Sequence, residues 1–277
     1  MTLQSSIHEC WNDLSQSRND WNKIVNALLN PISNKIIESL SITPQTTTLL
    51  DIATGTGEPG LTIAEKHPGT IVTGIDLSDK MLAYANENAR QRNIPNYITL
   101  CCNAMALPFA DHAFDAVLCR NGVMFFNNIE TGLREMHRVL KPEGKITVST
   151  WGLLEKNLWI SMVLDAMKEV TGRKMYNNHI PGMFYCMQPG FMTDWFEEIG
   201  MHQIQEEEMT GIIEFNSAEE HWNYVTSVSA AVVNALIGLQ LQEREQVKEL
   251  LRKKIATHIV QDKLYFQWTA RITNGVK

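Results

Sequence analysis

The stretch LLDIATGTGEPG, residues 49–60, decides how the chain folds. It begins with a short apolar run and continues into Gly55, Gly57 and Gly60, which have the spacing G-x-G-x-x-G. An apolar strand that runs into a glycine-rich turn and then a helix is typical of the first βα unit of a nucleotide-binding sheet. The motif is compatible with NAD and with other adenosine ligands, so the neighbouring residues have to discriminate between them.

Around this stretch, apolar runs alternate regularly with helical patterns. Short apolar runs bounded by turn residues predict strands, and apolar residues at helical spacing between them predict helices. Strands are predicted at 48–53, 70–76, 96–102, 114–120 and 144–151. Strands that alternate with helices form βαβ units, so we expect an α/β fold with a doubly wound, mostly parallel sheet.

The flanking segments have a different pattern. Residues 8–40 and the region after 216 are predicted to be mainly helical, whereas 263–272 alternates like a strand. The chain has no internal repeat and no linker rich in proline or glycine. We therefore expect residues 1–277 to form a single domain.

Composition excludes several classes of protein. The chain has 277 residues, a net charge of −7, 44% hydrophobic and 20% charged residues, as is ordinary for a globular protein. It has no cluster of lysine and arginine for phosphate contacts, so no nucleic-acid partner is expected. No run approaches the roughly 18 apolar residues of a membrane span, and the first residues are too polar for a signal peptide.

The cysteines indicate a reducing compartment. Their number is odd and none has the C-x-x-C spacing, which favours free thiols over disulfides or a zinc site. They are Cys10, Cys101, Cys102, Cys119 and Cys186. We therefore expect a cytoplasmic protein without a bound metal ion.

Three residues near the glycines discriminate between adenosine ligands. Asp51 would be repelled by a pyrophosphate, by about 1–4 kcal/mol at contact distance, but suits a ligand with an ammonium group. Pro59 has no N–H to donate to a phosphate at the start of the following helix. Asp76 ends the second strand, where a carboxylate can accept two hydrogen bonds from a ribose diol. S-adenosylmethionine (SAM) carries both a ribose and an ammonium group, so we favour it over NAD.

Four consecutive segments carry a resemblance to a known family. LLDIATGTGEPG resembles motif I of class I SAM-dependent methyltransferases, and VTGIDLSDKMLAYA is similar to their second motif. NAMALPFADHAFDAVLCRNGV and EMHRVLKPEGKITVSTWG resemble their later motifs. The resemblance covers about residues 48–152 and is to the methyltransferase type 11, or ubiquinone/menaquinone-methyltransferase-like, group. It implies a seven-stranded, Rossmann-like methyltransferase sheet with a helical lid.

The resemblance and the strand ends together predict a cofactor-binding set. The resemblance implies that Asp76 lies at the ribose and that Leu77 and Met81 lie beside the adenine. Asn103 and Ala104 are expected at the adenine edge. Asn103 departs from the family, which often has aspartate there, but its carbonyl can still accept a hydrogen bond. The complete set is Asp51, Ala53, Thr54, Gly55, Thr56, Gly57, Asp76, Leu77, Met81, Asn103, Ala104, Met105, Arg120, Asn121, Gly122 and Trp21.

Some of these positions have alternatives. Arg120, Asn121 and Gly122 follow the fourth strand and are expected to line the point of methyl transfer, although Arg120 could form a structural ion pair instead. The resemblance places the N-terminal helix over the SAM site, so that Trp11 and Trp21 would close it. The resemblance therefore predicts that aromatic residues of the N-terminal segment close the SAM site.

No catalytic residue can be named from the sequence. Methyl transfer from a sulfonium is an in-line displacement that needs orientation above all, and only some oxygen or carbon acceptors need a base. His8 and His179 are the histidines that could reach the site, and for both a role at the surface or in packing is the simpler interpretation. The catalytic group therefore stays unknown.

The acceptor is expected to be small and apolar. Eight of the 13 methionines fall between 162 and 209, and methionine-rich surfaces adapt to irregular apolar ligands. Packing of helices explains the same composition. Met124, Phe125 and Phe126 either flank the mouth of the substrate site or belong to the core.

These interpretations define one hypothesis and its rivals. Residues 48–152 form the SAM-binding core, 1–47, 153–200 and 216–260 the helical lid, and 201–215 and 263–274 the terminal strands. The expected function is methyl transfer from SAM to a small acceptor, with S-adenosylhomocysteine (SAH) as product. The rivals are a SAM-binding cyclase or isomerase that transfers no methyl group, and a catalytically inactive SAM-fold partner protein. The oligomeric state cannot be inferred.

Overall fold

The structure, a computed structural model, describes residues 11–12 and 20–277. Its centre is a parallel sheet with the strand order β3-β2-β1-β4-β5. The strands are β1 (Thr48–Ile52), β2 (Ile71–Asp76), β3 (Tyr97–Cys101), β4 (Phe114–Arg120) and β5 (Leu140–Trp151). The order reverses between β1 and β4, and open α/β sheets bind ligands at such a switch point, beyond the carboxyl ends of the strands.

Four helices cover this sheet. They are α1 (Asn22–Leu40), α2 (Gly60–Lys66), α3 (Asp79–Gln91) and α4 (Ile129–Val139). The start of α3 is fixed by Ser78, whose hydroxyl accepts a hydrogen bond from the Met81 amide at 3.1 Å. Asn128 has the same role in α4. Short polar caps therefore fix where both helices begin, and α3 begins directly after the end of β2.

Two long strands complete the sheet. β8 (Lys263–Val276) pairs antiparallel with β5, and β6 (His202–Phe215) pairs antiparallel with β8. A two-residue strand, β7 (Ile259–Val260), pairs only with the start of β8. The predicted doubly wound, mostly parallel α/β sheet is thereby confirmed.

The remaining helices follow β5 or lie between β6 and β8. They are α5 (Leu158–Thr171), α6 (Phe191–Glu198), α7 (Ala218–Val228), α8 (Ala230–Ile237) and α9 (Leu241–Ile255). Because β6 is antiparallel to β8, and β8 to β5, the carboxyl end of β6 lies at the same edge as those of β1–β5. The segment with α7, α8 and α9 therefore leaves the sheet at the edge where a ligand would bind.

The core lies between the sheet and its helices. Leu49, Leu50 and Ile52 of β1 are fully buried, as expected for a central parallel strand covered on both faces. Ile32 and Ile36 of α1 are equally inaccessible. Within the described ranges, no helix combines the length and apolarity needed to cross a membrane.

Candidate functional site

A deep cavity opens at the carboxyl edge of the sheet, beside the glycine-rich loop. It encloses about 1560 Å³, including the part open to solvent. Most of the predicted cofactor-binding residues line it: Ala53, Thr54, Gly55, Thr56, Asp76, Leu77, Met81, Asn103, Ala104, Met105, Arg120, Asn121 and Gly122. Residues from four different loops of the sequence thus meet at one place.

Backbone conformation shapes the loop after β1. Ala53, Gly55 and Gly57 have φ angles of 55°, 58° and 108°, in the left-handed region where glycine is the least strained residue. A Cβ atom on Gly122 would lie 2.5 Å from the Cβ of Ala53. The loops after β1 and β4 therefore approach each other so closely that only glycine fits at position 122.

Asp76 holds the glycine loop against the end of β2. One carboxylate oxygen accepts a hydrogen bond from the Gly55 amide at 2.9 Å, and the other accepts one from the Ser78 amide at 2.9 Å. The residue is half-buried and lies on the cavity wall. Asp76 is therefore at the place where the predicted contact with a ribose would occur.

The structure places Asp51 differently from the sequence prediction, which had put this residue against a cationic ligand. Asp51 is 0% exposed, does not line the cavity and lies beneath the loop. One oxygen accepts hydrogen bonds from the Thr54 hydroxyl at 2.6 Å and the Gly60 amide at 3.1 Å. The other oxygen is buried without a hydrogen-bond partner among the described residues. Asp51 therefore ties the loop to α2, and direct contact with a ligand in the cavity would need the loop to move.

Burial also changes the ionisation of Asp51. It raises the pKa of the carboxyl group to about 7, against the opposing effects of the Thr54 hydrogen bond and the positive charge of Arg120. Thr54 also shares a hydrogen bond with the Tyr97 hydroxyl at 2.8 Å. The loop therefore stands on a buried polar cluster whose acid is only partly ionised near neutral pH.

Gly57 and Trp21 also lie away from the cavity wall. A Cβ on Gly57 would meet the side chain of Leu61 at 2.5 Å, so this glycine faces the packing between α2 and the loop. Trp21 lies edge-on to Tyr224, with ring centroids 5.8 Å apart, and Tyr224 rather than Trp21 reaches the cavity. The expected aromatic closure is instead made by Trp11, which lines the cavity and lies 5.1 Å from the Phe125 ring.

Asn103 begins the segment predicted to contact adenine. Its side-chain oxygen accepts a hydrogen bond from the Met105 amide at 2.9 Å, forming a local turn that presents Ala104 and Met105 to the cavity. The second lone pair of that oxygen remains for a ligand donor. This arrangement is compatible with the predicted contact at the adenine edge.

Arg120 and Asn121 end β4 at the centre of the cavity. Arg120 donates a hydrogen bond from Nη1 to the Ser33 hydroxyl of α1 at 2.8 Å. Asn121 accepts a hydrogen bond from the Ser149 hydroxyl at 2.6 Å, and its own amide nitrogen Nδ2 is buried without a partner among the described residues. The end of β4 therefore presents one cation and one amide donor.

The other half of the cavity is apolar, and most of the residues that form its walls were not named from the sequence. Its walls are side chains of α1, α5, α7 and the end of β5: Val25, Leu28, Leu29, Trp151, Trp159, Tyr224 and Val228. Met124, Phe125 and Phe126, for which a place at the substrate mouth was weighed against the core, also line it. The apolar stripe of α1 was visible in the sequence, but a stripe does not reveal whether it faces a core or a ligand.

Groups that titrate near neutral pH are scarce at the cavity. No histidine belongs to the part of its wall that the structure describes, and His179 is exposed elsewhere. His8 and Cys10 lie outside the described residues. Within the described ranges, no three His, Cys, Asp or Glu side chains are grouped so that they could hold a metal ion.

Comparison with known proteins identifies the sheet. Residues 50–148 match the family described as a methyltransferase domain. A demethylmenaquinone methyltransferase of Porphyromonas gingivalis is 45% identical over 95 residues, which are 34% of this chain and 39% of that protein. One of Listeria welshimeri is 32% identical over 146 residues, or 52% of this chain and 62% of that protein. The chain thus spans about half the length of these curated relatives.

Solved structures extend the likeness to most of the chain. The YcgJ protein of Bacillus subtilis has a TM-score of 0.60 at 17% identity, over 88% of this chain and 97% of that one. A phosphoethanolamine N-methyltransferase of Haemonchus contortus, solved with S-adenosyl-L-methionine, has a TM-score of 0.56 at 19% identity, over 89% and 52%. The [4+2]-cyclase SpnF has a TM-score of 0.53 at 17% identity, over 93% and 94%. At these identities the likeness defines the fold.

Family match and fold agree with each other. Residues 50–148 match a methyltransferase domain, and the sheet that carries them has the fold of the solved structures named above.

Proposed function

We propose that this protein transfers a methyl group from SAM to a small, apolar acceptor. The observation that supports it best is the convergence of the glycine loop, Asp76, Asn103 and the end of β4 on one cavity. The same cavity is lined on its other side by apolar side chains such as Leu29, Trp151 and Val228, which suit a second, apolar molecule.

The described residues fit the parts of SAM in separate places. Asp76 lies on the cavity wall at the end of β2, where its carboxylate would accept hydrogen bonds from a ribose diol, and the turn at Asn103 borders the space beside Leu77 and Met81. The ammonium group is expected near the buried Asp51–Thr54 cluster, where a carboxylate below the loop contributes negative potential without direct contact. When bound, SAM supplies an activated methyl group on a sulfonium.

The protein's contribution to the reaction is position. An acceptor held in line with the reacting bond at about 3–3.5 Å gains about 7–11 kcal/mol of the barrier from orientation alone. Trp151, Trp159 and Tyr224 form an aromatic wall of the same cavity, with Trp159 in ring contact with both of the others. This wall would orient an apolar acceptor and exclude water from the reacting groups.

The assignment of chain segments belongs to the same proposal. Residues 48–152 bind the cofactor, and the helices in 1–47, 153–200 and 216–260 form the lid over the acceptor. Support comes from Leu29 of α1, Trp159 of α5 and Val228 of α7, which all reach the cavity from those segments. We propose a cytoplasmic location because the cysteine pattern favours free thiols, and the four described cysteines are unpaired.

Binding of SAH tests the cofactor. Isothermal titration of the full chain with SAH should give a dissociation constant in the micromolar range, and native mass spectrometry should detect the complex. An absence of heat up to millimolar SAH would falsify the proposed function. NAD serves as the matched control, since it shares the adenosine but carries a pyrophosphate in place of the amino-acid group of SAH.

Product mass distinguishes methyl transfer from the other chemistry that this fold supports. SpnF is a cyclase with the same fold, so fold alone does not select the reaction. Incubation of candidate apolar acceptors with SAM labelled in its methyl group should add one labelled CH2 unit to a product. A product of unchanged mass would instead indicate a cyclase or isomerase, and SAH binding without any turnover would indicate a catalytically inactive partner protein.

A further inference from the structure

The helices that follow β5 and β6 carry large apolar side chains that face solvent. Ile237, the last residue of α8, is 74% exposed, and Leu241, the first residue of α9, is 77% exposed. Ile180, in the loop between α5 and α6, is 55% exposed. Single exposed apolar residues are ordinary, whereas several that share one surface indicate an interaction site. The contacts between the loop and α8 decide which case applies.

The loop between α5 and α6 runs along α8. Near the start of the loop, Arg173 donates a hydrogen bond to the carbonyl of Gly238, directly after α8, at 3.3 Å. Near its middle, the Met183 sulfur lies 3.8 Å from the hydroxyl of Ser229, directly before α8. Contacts at both ends of the helix mean that the loop and α8 lie side by side in opposite directions. They therefore form one continuous surface.

We call segments 172–183 and 229–242 the lid face. The lid face contains Ile180, Ile237 and Leu241, and its sequence has no aspartate or glutamate. The whole chain, by contrast, has 31 acidic residues and a net charge of −7. An apolar surface without acids is therefore set into a protein that is acidic as a whole.

Cations border the apolar side chains of the lid face. Arg173 and Lys174 are exposed at the start of the loop, and Arg244 of α9 donates hydrogen bonds to carbonyls at and just after the end of α8. Two acids of α9 lie nearby: Glu243 pairs with Arg173 at 3.7 Å, and Glu245 is one turn beyond the start of the helix. These five side chains together carry a net positive charge.

The lid face continues into the cavity. Met183 and Ala230 line the cavity, on the loop and at the start of α8 respectively. Ile237 follows Ala230 by seven residues, which places both on the same side of the helix, about 10 Å apart along its axis. Val233, half-buried, lies between them on this side. An apolar stripe therefore leads along α8 from the wall of the cavity to the outer surface.

We propose that the lid face docks on the surface of a lipid bilayer with anionic headgroups, and that the apolar acceptor passes from the bilayer into the cavity along α8. The passage of the acceptor rests on the proposed methyl transfer. Apolar side chains insert between lipids at the headgroup level, while nearby lysine and arginine side chains bind the acidic headgroups. A lipid surface accounts for the exposed side chains, the cations and the stripe into the cavity, whereas a contact between proteins leaves the stripe unexplained.

Sedimentation with sucrose-loaded vesicles tests the docking. The full chain is mixed with vesicles of phosphatidylcholine, or of equal parts phosphatidylcholine and phosphatidylglycerol, and the bound fraction is measured against lipid concentration. We expect the anionic vesicles to bind the protein at least about fivefold more tightly than the neutral ones. This difference should disappear in 1 M salt, where the Debye length is about 3 Å.

Variants of the exposed side chains separate the apolar from the electrostatic contribution. The double variant Ile237→Ser and Leu241→Ser should bind anionic vesicles at least about tenfold more weakly, since it loses two apolar side chains without a change of charge. Lys174→Gln should bind anionic vesicles about fivefold more weakly and neutral ones as the wild type does. Ile98→Ser, which removes an exposed isoleucine of β3, is the matched control and should bind like the wild type.

Titration with SAH checks that each variant is folded, because none of these side chains lines the cavity. A wild type that stays in the supernatant with both kinds of vesicle overturns the inference. So does a double variant that binds as tightly as the wild type. Sedimentation velocity without lipid is the third test: a dimer that the double variant dissociates would assign the lid face to contact between two copies of the chain.

The same two measurements keep the two proposals apart. A wild type that binds SAH but no vesicles overturns the docking on lipid and leaves methyl transfer in place. A wild type that binds vesicles through the lid face but does not bind SAH overturns methyl transfer and supports the docking.

Discussion

The two halves of the cavity are built in different ways. The loop half consists of backbone and small side chains next to strand ends, and the contact of Gly55 with Asp76 joins residues 21 positions apart. The helical half consists of large side chains from α1, α5 and α7, which are far apart in sequence. Local sequence therefore determines the first half, and tertiary packing determines the second.

This difference also appears in the buried ionisable groups. Beneath the loop half lies an acid, Asp51, whose charged form is disfavoured. Behind the helical half lies a base, His221 of α7, which is 0% exposed and whose Nε2 is 2.7 Å from the Trp159 carbonyl. Stability is expected to change with pH in opposite directions in the two halves.

The largest effect is expected in the loop half, for Asp76→Ala. The substitution removes two charge-assisted hydrogen bonds to the ribose, each worth roughly 1.5–3 kcal/mol, so SAH affinity should fall about 100-fold or more. Isothermal titration measures this change. Asp79→Ala is the control: it removes an exposed carboxylate at the start of α3, three residues after Asp76, and should bind SAH normally. An unchanged affinity for Asp76→Ala would mean that the ribose lies elsewhere.

The second effect concerns stability, for Asp51→Asn. Burial raises the pKa of Asp51 to about 7, so its stabilising contribution is complete below about pH 4 and decreases as pH rises to about 7. Each pKa unit corresponds to about 1.4 kcal/mol. The amide keeps an acceptor for the hydrogen bonds from Thr54 and Gly60. At pH 8 the free energy of unfolding of the variant should therefore exceed that of the wild type by roughly 1–4 kcal/mol.

Urea unfolding at pH 4, 6 and 8 measures this difference. Asp194→Asn, which removes an exposed carboxylate of α6, should follow the wild-type curve. A variant that is no more stable than the wild type at pH 8 would show that ionised Asp51 is accommodated without cost.

The smallest effect is expected in the helical half, for His221→Gln. Burial lowers the pKa of His221 to about 4, so its contribution is complete above about pH 6.5 and is lost as pH falls towards 4. The free energy of unfolding of the wild type should fall by about 3 kcal/mol through this effect. Glutamine keeps a donor for the Trp159 carbonyl and does not titrate, so the variant should lose less stability between pH 7 and 4.

Urea unfolding at pH 4 and 7 tests the prediction for His221→Gln, and His179→Gln, a substitution of an exposed histidine, is the control. A wild type that loses no more stability in acid than His221→Gln would exclude the imidazole as the cause.

The contrast between the halves explains what the sequence could predict. The strand segments, the loop and the meeting of Asp76 with Asn103 at one cavity follow from local patterns, because strand ends of a parallel sheet share one edge. Asp51 was expected to face a cationic ligand group, and the structure buries it beneath the loop, because a strand-end carboxylate can turn outward to a ligand or inward to Gly60 and Thr54. Which side it takes depends on the packing of α2 and Tyr97.

The helical half could not be derived in this way. Trp21 and Trp11 lie on the same segment and have the same chemistry, yet only Trp11 reaches the cavity, whereas Trp21 rests on Tyr224. The roles of Trp159 and Val228 depend on how α5 and α7 pack on each other and on the sheet. Such choices depend on contacts between distant residues and leave no local pattern.

The segment between β6 and β8 has a consequence for how such proteins diversify. Phe215 and Leu264 are direct partners across the antiparallel pair, so the segment of α7, α8 and α9 begins and ends on neighbouring backbone positions. An insertion whose ends meet in this way can be replaced by one of another length without a change of strand register. Grafting a different 216–262 segment onto this sheet would then exchange Tyr224 and Val228 of the acceptor wall and leave Asp76 and the glycine loop in place.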